Sequence, residues 1–297
     1  MNKFSGFSDL CVPYNSSTKE LLGILKELDE LGFKNVAIEQ IYNHDSCDKK
    51  GDPIPDPIDL KPLSKELNGR LRLLNRLTIV YTEANVTLVT TRSAKLRGYH
   101  LVAVVPKTED AFQHACQTMP CDIISYNSDT VRSKMSRKFY FVAVNRNIMF
   151  EIKYAPAIVN SNDRKDIINR AHKYHSYGKS KNVIISSEAR DRFQVRGPYD
   201  IANLGLIFGL SEEQSKNAIL ALSRKVFINA EARRHGKAGI MVRVRQAAAV
   251  DSDDYSDSEL NEPISDSSEE ESEEEMDEDE DMQSDGGQEP PRKIAKV

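Results

Sequence analysis

Six polar residues stand where a β/α enzyme would keep its catalytic groups. Asp9, Glu39, Lys107, Asn145, Ser187 and Glu188 each fall near the C-terminal end of a short apolar, β-rich run, and barrel enzymes recruit acids, bases and nucleophiles from such ends. Asp9 and Glu39 could act as an acid–base pair, but two carboxylates in a chain with 46 acidic residues are a weak signal. Neither Ser186 nor Ser187 lies in G-x-S-x-G, and there is no G-x-x-x-x-G-K-[ST] or G-x-G-x-x-G. The serine-hydrolase elbow and the usual phosphate-cradling loops are therefore missing.

Metal chemistry has little more to work with. His172 and His175, three apart in a helical pattern, could share a face, yet no carboxylate or cysteine at a familiar spacing completes a triad. None of Cys11, Cys47, Cys116 and Cys121 forms C-x-x-C; Cys116 and Cys121 read as small core residues rather than zinc ligands. Four thiols are too few to staple a chain of this size, so a reducing compartment is expected. The opening "MNKFSGFSDLCVPY" lacks the apolar run of a signal peptide, and nothing later approaches a membrane span. A soluble intracellular protein without a membrane partner is expected.

Charge is more informative. Residues 251–297 hold 20 Asp/Glu and 3 Lys/Arg, a net of −17, whereas residues 1–250 hold 26 acids and 38 bases, a net of +12. The overall −5 conceals a basic body joined to an acidic tail. Bases cluster in "RSAKLR" (Arg92, Lys95, Arg97), "RSKMSRK" (Arg132, Lys134, Arg137, Lys138), "GKSK" (Lys179, Lys181), "RDRFQVR" (Arg190, Arg192, Arg196) and "EARRHGK" (Arg233, Arg234, Lys237). Any one cluster reads most simply as a solvated face. Several on a basic body favour a polyphosphate partner, because each neutralised phosphate releases counterions. Phe193, between Arg192 and Arg196, could stack on an exposed base, although core packing is the simpler reading. Lys179 and Lys181 precede the strand that Arg190 and Arg192 follow, and a six-residue strand spans roughly 20 Å. The two pairs are thus expected at opposite ends of the fold.

The tail "DSDDYSDSELNEPISDSSEEESEEEMDEDEDMQSDGG" has little apolar content and dense like charge, so disorder is expected. Its simplest role is solubilising; an RNA-mimicking strip is the functional alternative. Ser256, Ser258, Ser265, Ser267, Ser268 and Ser272 precede nearby acids, the pattern of acidophilic kinase sites. The closing "PPRKIAKV" is a short basic run of the kind seen in nuclear-import signals.

The elements that would position these residues alternate along the chain. Strands are expected at "FSDLCV", "NVAIEQIY", "LLNRLTIVY", "HLVAVVP", "CDIISY", "FYFVAVN" with "IMFEIKY", and "NVIISS". A helix after Ser17 carries the apolar stripe Leu21, Leu25, Leu28 and stops at Gly32, with Ser17 and Glu20 at capping-box spacing. Further helices are expected over Glu109–Thr118, over Asp163–Tyr177 with Ile167, Ile168, Ala171 and Tyr174 on one face, and from Pro198, with Asp200 as its cap, to Gly209. The stretch "SEEQSKNAILALSRKVFINAEARR" reads as one helix opened by a Ser211–Gln214 capping box. Prolines 53, 55, 57 and 62 mark a loop. Seven or more nearly continuous apolar strands alternating with helices imply a mainly parallel, fully covered sheet. The expected class is α/β, a TIM-barrel-like (β/α) barrel over residues 1–245, followed by a disordered acidic tail over 246–297.

The stretch "NVIISSEA", then "RGPYDIANLGLIFGLS" and "HGKAGIMV", with "DLCVP", "RLTIVY", "LVAVVPKTEDAF" and "APAI" before them, resembles the thirty-kilodalton protein subunit family of nuclear ribonuclease P and ribonuclease MRP. The resemblance covers roughly residues 1–245. It implies a barrel related to the polymerase-and-histidinol-phosphatase group of metal-dependent phosphoesterases. That group carries His-x-His at the end of its first strand, where this chain has Asp9-Leu10-Cys11. The resemblance thus implies a scaffold with no catalytic residues and no cofactor of its own, in a particle whose Mg2+-dependent RNA removes the 5′ leader of precursor tRNA. Implied partners are ribonuclease P RNA, MRP RNA, precursor tRNA indirectly, and neighbouring proteins including a small ferredoxin-like subunit. Precursor rRNA processing and a nuclear and nucleolar location are implied as well. On the residues themselves, Arg190, Arg192 and Arg196 are the first candidates for RNA contact because guanidinium forks engage phosphate oxygens in pairs. The other clustered bases follow. The competing expectations are a metal-dependent phosphoesterase using Asp9, Glu39 and Glu188, and a scaffold whose acidic tail recruits basic proteins.

Overall fold

The computed structural model describes residues 4–15, 17–46 and 52–235. The chain divides into two units, Met1–Met241 and Val242–Val297, and every described residue lies in the first. Lys237, the six tail serines and the expected tail disorder lie outside the described residues.

Seven strands pair in sequence order, all parallel: β1 (Ser8–Pro13), β2 (Asn35–Asn43), β3 (Arg72–Tyr81), β4 (Leu101–Pro106), β5 (Ile123–Ile124), β6 (Met149–Lys153) and β7 (Val183–Ser186). The helices are α1 (Thr18–Glu30), α2 (Lys61–Glu66), α3 (Val86–Arg92), α4 (Glu109–Gln117), α5 (Arg137–Asn145), α6 (Tyr154–Val159), α7 (Ser161–Gly178), α8 (Pro198–Ile207), α9 (Glu212–Ile219) and α10 (Ala221–His235). The ladder stops between β7 and β1, where the Glu188 N–H donates to Cys11 O at 2.8 Å and the Ser187 N–H to Asp9 Oδ1 at 3.0 Å. These two bonds across the seam bring the sheet nearly to closure as a barrel.

The alternation of strand side chains builds two cores. One set, including Val36, Ile38, Leu77, Ile79, Val104, Phe150 and Ile185, packs with Leu21, Ile24, Leu25 and Leu28 of α1 and the other surrounding helices. The opposite set, Leu10, Ala37, Leu74, Leu101, Ala103, Ile123, Met149 and Ile184, clusters inside the barrel with Val226, Phe227 and Ala230 of α10. The last helix therefore plugs the end of the barrel at which the strands begin.

Local chemistry explains the boundaries. Ser211 and Gln214 form the expected capping box, whereas Ser17 caps α1 without a side-chain hydrogen bond and the expected box is replaced by Asn15, which accepts from the Ser17 N–H and donates to Glu20. Gly197, not Asp200, is the cap of α8, with Pro198 at its first position. The single helix expected after Ser211 breaks at Leu220 (φ −120°, ψ −79°), which lets α10 turn away from α9 and cross the barrel end.

One expected strand is a helix. "FYFVAVN" forms the last seven residues of α5. Its aromatic and β-branched composition favours strands in isolation, but burial of Tyr140 and Ala143 three apart decides otherwise. Tyr140 stacks on Phe150 at 4.4 Å and donates its hydroxyl to Lys181 O at 2.6 Å, which ties α5 to β6 and β7. Asn145 therefore ends a helix that leads into β6 and does not stand at the C-terminal mouth.

Candidate nucleic-acid interface

Where a barrel enzyme would gather its catalytic groups, this barrel holds an ion-pair network closed on itself. Above the apolar layer the inward positions are Glu39, Arg76, Thr78, Glu151, Lys153 and Ser186, all buried. Arg76 grips Glu151 with both prongs, Nη1 to Oε1 at 2.6 Å and Nη2 to Oε2 at 2.7 Å. Its remaining donors reach Leu10 O at 2.7 Å and Thr78 Oγ1 at 3.1 Å, while Glu39 Oε1 lies 3.4 Å from Nη2. Ser125 and Ser186 donate to the two oxygens of Glu151, and Thr78 donates to Glu39. Lys153 faces Glu188 at 3.4 Å.

The electrostatics follow from that geometry. Burial alone would raise the Glu151 carboxyl, but the Arg76 charge and hydrogen bonds, helped by Lys153, hold it at about 2. Burial likewise works against the Glu39 anion, and Lys153, Arg76 and the Thr78 hydroxyl outweigh it. Glu188 goes the other way: burial exceeds the pull of Lys153 and raises it. Asp9 is pushed up to about 6, chiefly by burial, against hydrogen bonds from Ser187 and Cys11. Its Oδ2 has no hydrogen-bond partner. Fixed side-chain cations thus neutralise Glu39 and Glu151, and among the described residues no group of three or more His, Cys, Asp and Glu is placed to hold a metal ion.

The sequence candidates distribute as follows. Glu39 and Glu188 do meet in the barrel interior, in the company of Arg76 and Lys153, whereas Asp9 lies at the β7–β1 seam, accepting from the Ser187 and Cys11 N–H groups. Lys107 reaches Asp45 at 2.8 Å. His172 and His175 are exposed on α7, and Cys116 and Cys121 are buried, with the Cys116 thiol pushed up to about 12 mainly by burial. Arg190 and Arg192 are exposed in the loop after β7; Arg192 lies over the Phe193 ring at 4.6 Å, and that ring is 73% exposed. Arg196 instead closes its own loop, donating to Phe193 O and Val195 O. Arg132 pairs with Asp166 at 2.8 Å and Lys134 with Glu109 at 3.9 Å; Arg137 and Lys138 are exposed at the start of α5.

At the opposite end, Lys179 and Lys181 are exposed in the turn before β7. Arg233 is half-buried and binds both oxygens of Asp122, so its charge locks α10 to the strand before which Asp122 sits. Arg234 is half-buried too, 3.6 Å from Glu231. The residues that sequence reading missed are Arg76, Glu151 and Lys153. A signal was present: in "RLTIVY" and "FEIK" polar residues recur two apart inside apolar strands, which places them on one face.

The RNase P subunit p30 family matches residues 6–235. The chain belongs to this family. It is 36% identical over 265 residues to ribonuclease P protein subunit p30 of Mus musculus, covering 85% of this chain and 96% of that one. To the ribonuclease P/MRP protein subunit RPP1 of Saccharomyces cerevisiae it is 21% identical, covering 74% and 75%. A chain of an archaeal ribonuclease P solved with mature tRNA by cryo-electron microscopy shares the fold, with a TM-score of 0.60 and 14% identity over 81% of this chain and all of that one. The p30-family barrel is therefore that of an RNA-processing subunit, and its interior ion pairs belong to the described chain's own architecture.

Proposed function

We propose that this p30-family chain is a non-catalytic subunit of ribonuclease P and ribonuclease MRP, which folds and neutralises RNA and leaves bond cleavage to the RNA. The observation that carries the reading is the commitment of Glu39 and Glu151 to the buried Arg76 guanidinium. A general base or metal ligand must have a free lone pair facing substrate, and these carboxylates direct theirs at fixed donors. The basic body of +12 supports contact with ribonuclease P RNA, MRP RNA and, through them, precursor tRNA. Mg2+ acts on the RNA in this reading. The exposed apolar side chains of α8, Tyr199, Leu206 and Ile207, support docking of a protein neighbour such as the small ferredoxin-like subunit. Nuclear and nucleolar residence, and modification of Ser256, Ser258, Ser265, Ser267, Ser268 and Ser272 by an acidophilic kinase, complete the proposal on the strength of the tail sequence.

The test is cleavage of precursor tRNA by the full chain stripped of RNA, with Mg2+ or Mn2+. No product is expected until the particle's RNA is added back. Cleavage by the protein alone, abolished in Glu151→Gln, would overturn the proposal.

A further inference from the structure

The two ends of the barrel differ in charge. Because every strand runs parallel, the strands begin at one end and finish at the other. The long β2–α2 connection returns to the end where they begin, and there Pro55 O accepts from Tyr99 and Asp56 pairs with Lys95, both in the connection into β4. The connections into β2–β7 carry seven Lys/Arg against one acid, Asp122, to which the β2–α2 connection adds Asp52 and Asp56, bonded to Ser93 and Lys95. This end thus has seven bases against three acids, whereas the remaining described connections leaving β1–β7 carry six Lys/Arg against six acids. The imbalance therefore sits at the end plugged by α10, away from the mouth.

Some of those cations serve the fold: Arg70 pairs with Asp29, Lys95 with Asp56, and Arg146 donates to the carbonyls of Ala115, Cys116 and Met119. Lys34, Arg97, Lys179 and Lys181 are exposed and have no acidic partner within 4.0 Å among the described residues. Arg72, the exposed first residue of β3, is held over the Phe4 ring at 5.1 Å, and Phe4 stacks on Phe227 of the plug. The plug itself is fastened across this end. Arg233 binds Asp122 before β5, Arg234 Nε reaches Arg97 O at 3.4 Å, and Asn229 donates to Asn147 O at 3.1 Å before β6. Its outer side presents the exposed Arg224.

The turn before β7 has an unusual backbone. Lys179, Ser180 and Asn182 have φ of 50°, 59° and 55°, a left-handed conformation that glycine adopts far more readily. The turn is nonetheless pinned, with Lys179 O accepting from Gln214 Nε2 at 2.8 Å and Lys181 O from the Tyr140 hydroxyl at 2.6 Å. Strain of this kind persists where the surroundings over-determine it, and it concentrates at functional positions. Here it holds two lysines on the rim.

We propose that the plugged end of the barrel is the principal RNA-binding face, and that Lys34, Arg72, Arg97, Lys179, Lys181 and Arg224 engage backbone phosphates of a folded RNA. The proposal rests on the RNA-binding reading above and assigns it a surface. RNA is favoured over an acidic protein because these cations are spread singly around a rigid rim, an arrangement that matches a polyanion of regular charge spacing.

The experiment compares two charge-reversal sets in the full chain, measured for binding to ribonuclease P RNA over a salt series and for assembly with the other protein subunits. The first set is Lys34→Glu, Arg72→Glu, Arg97→Glu and Lys181→Glu; the second, at the mouth, is Arg132→Glu, Arg190→Glu and Arg192→Glu. The first is expected to weaken RNA binding about 30-fold or more at physiological salt, and to flatten the plot of log affinity against log salt by about 3. The second should stay within about threefold of the parent. If the first set unfolds, Lys34→Gln with Lys181→Gln replaces it, with a flattening of about 1.5 expected. Loss confined to the mouth set overturns the assigned face and leaves the RNA-binding reading standing. Unchanged RNA binding in both sets removes that reading and this proposal together. Unchanged RNA binding with loss of a protein subunit in the first set overturns the proposal in favour of a protein dock.

Discussion

Arg76 and Glu151 meet across the barrel interior in a two-pronged ion pair, 2.6 and 2.7 Å, with both side chains inaccessible to solvent. Taking such charges out of water is tolerated only when each is paired and hydrogen-bonded, and here the guanidinium and the carboxylate have further partners in Leu10 O, Thr78, Ser125 and Ser186. Removing one partner is the severe change. Arg76→Ala is expected to cost about 3–5 kcal/mol, read from urea unfolding, and Arg76→Met combined with Glu151→Gln should recover a large part of it.

Acid should loosen the barrel through the same pair. The Glu151 carboxyl is held at about 2 against an ordinary 4.5, so the stabilisation is complete above about pH 4.5 and disappears as pH falls through about 2. Thermal melting between pH 6 and pH 2 should show this decline, and Glu151→Gln should flatten it.

Asp9 has the opposite sign. Its folded value of about 6 exceeds the ordinary 3.8, so the native state favours its protonated form, and stability falls as pH rises from about 4 through about 6. Asp9→Asn keeps an acceptor for the Ser187 and Cys11 N–H groups. It is expected to stabilise the protein by up to about 3 kcal/mol at pH 8 and to lose that advantage below pH 4. A pH-independent effect would contradict the assignment.

Lys179→Gly separates stability from binding. Glycine relieves the left-handed backbone at φ 50°, a gain of about 1 kcal/mol, while removing a cation from the rim. A higher melting temperature together with weaker RNA binding is expected. A residue with a purely structural role would leave binding unchanged.

Gly205→Ala tests how α8 meets α9. A Cβ at Gly205 would lie 2.7 Å from Ser215 Cβ and also press on its hydroxyl. Overpacking of this kind costs about 1–3 kcal/mol, so a fall in unfolding midpoint is expected, with partial rescue by Ser215→Gly.

Much of this architecture was legible locally. Near-continuous apolar runs such as "LVAVVP" and "NVIISS" mark strands covered on both faces, and they appear as β4 and β7. Ser211 with Gln214, Gly32 and Gly209 mark helix ends through hydrogen bonds and backbone angles that involve only a few neighbouring residues. "FYFVAVN" misled because intrinsic preference is weaker than the packing of Tyr140 between Phe150 and Tyr174. Of the candidate site, Glu39 and Glu188 come together but with the cations Arg76 and Lys153, which the sequence did not single out, while Asp9 is held by backbone N–H groups at the seam instead.

The sequence by itself determined the strand and helix alternation, the separation of a basic body from an acidic tail, and the resemblance carried by its motifs, because these depend on composition and short-range pattern. Only the tertiary structure decided what the charges do. Arg76 lies 75 residues from Glu151, Arg233 lies 111 from Asp122, and Lys34, Arg97 and Lys181 are scattered along the chain. Parallel closure of the strands sorts them into buried pairs, a locked plug and a cationic rim. Whether a charge is neutralised inside or offered to solvent depends on distances that chain order does not contain.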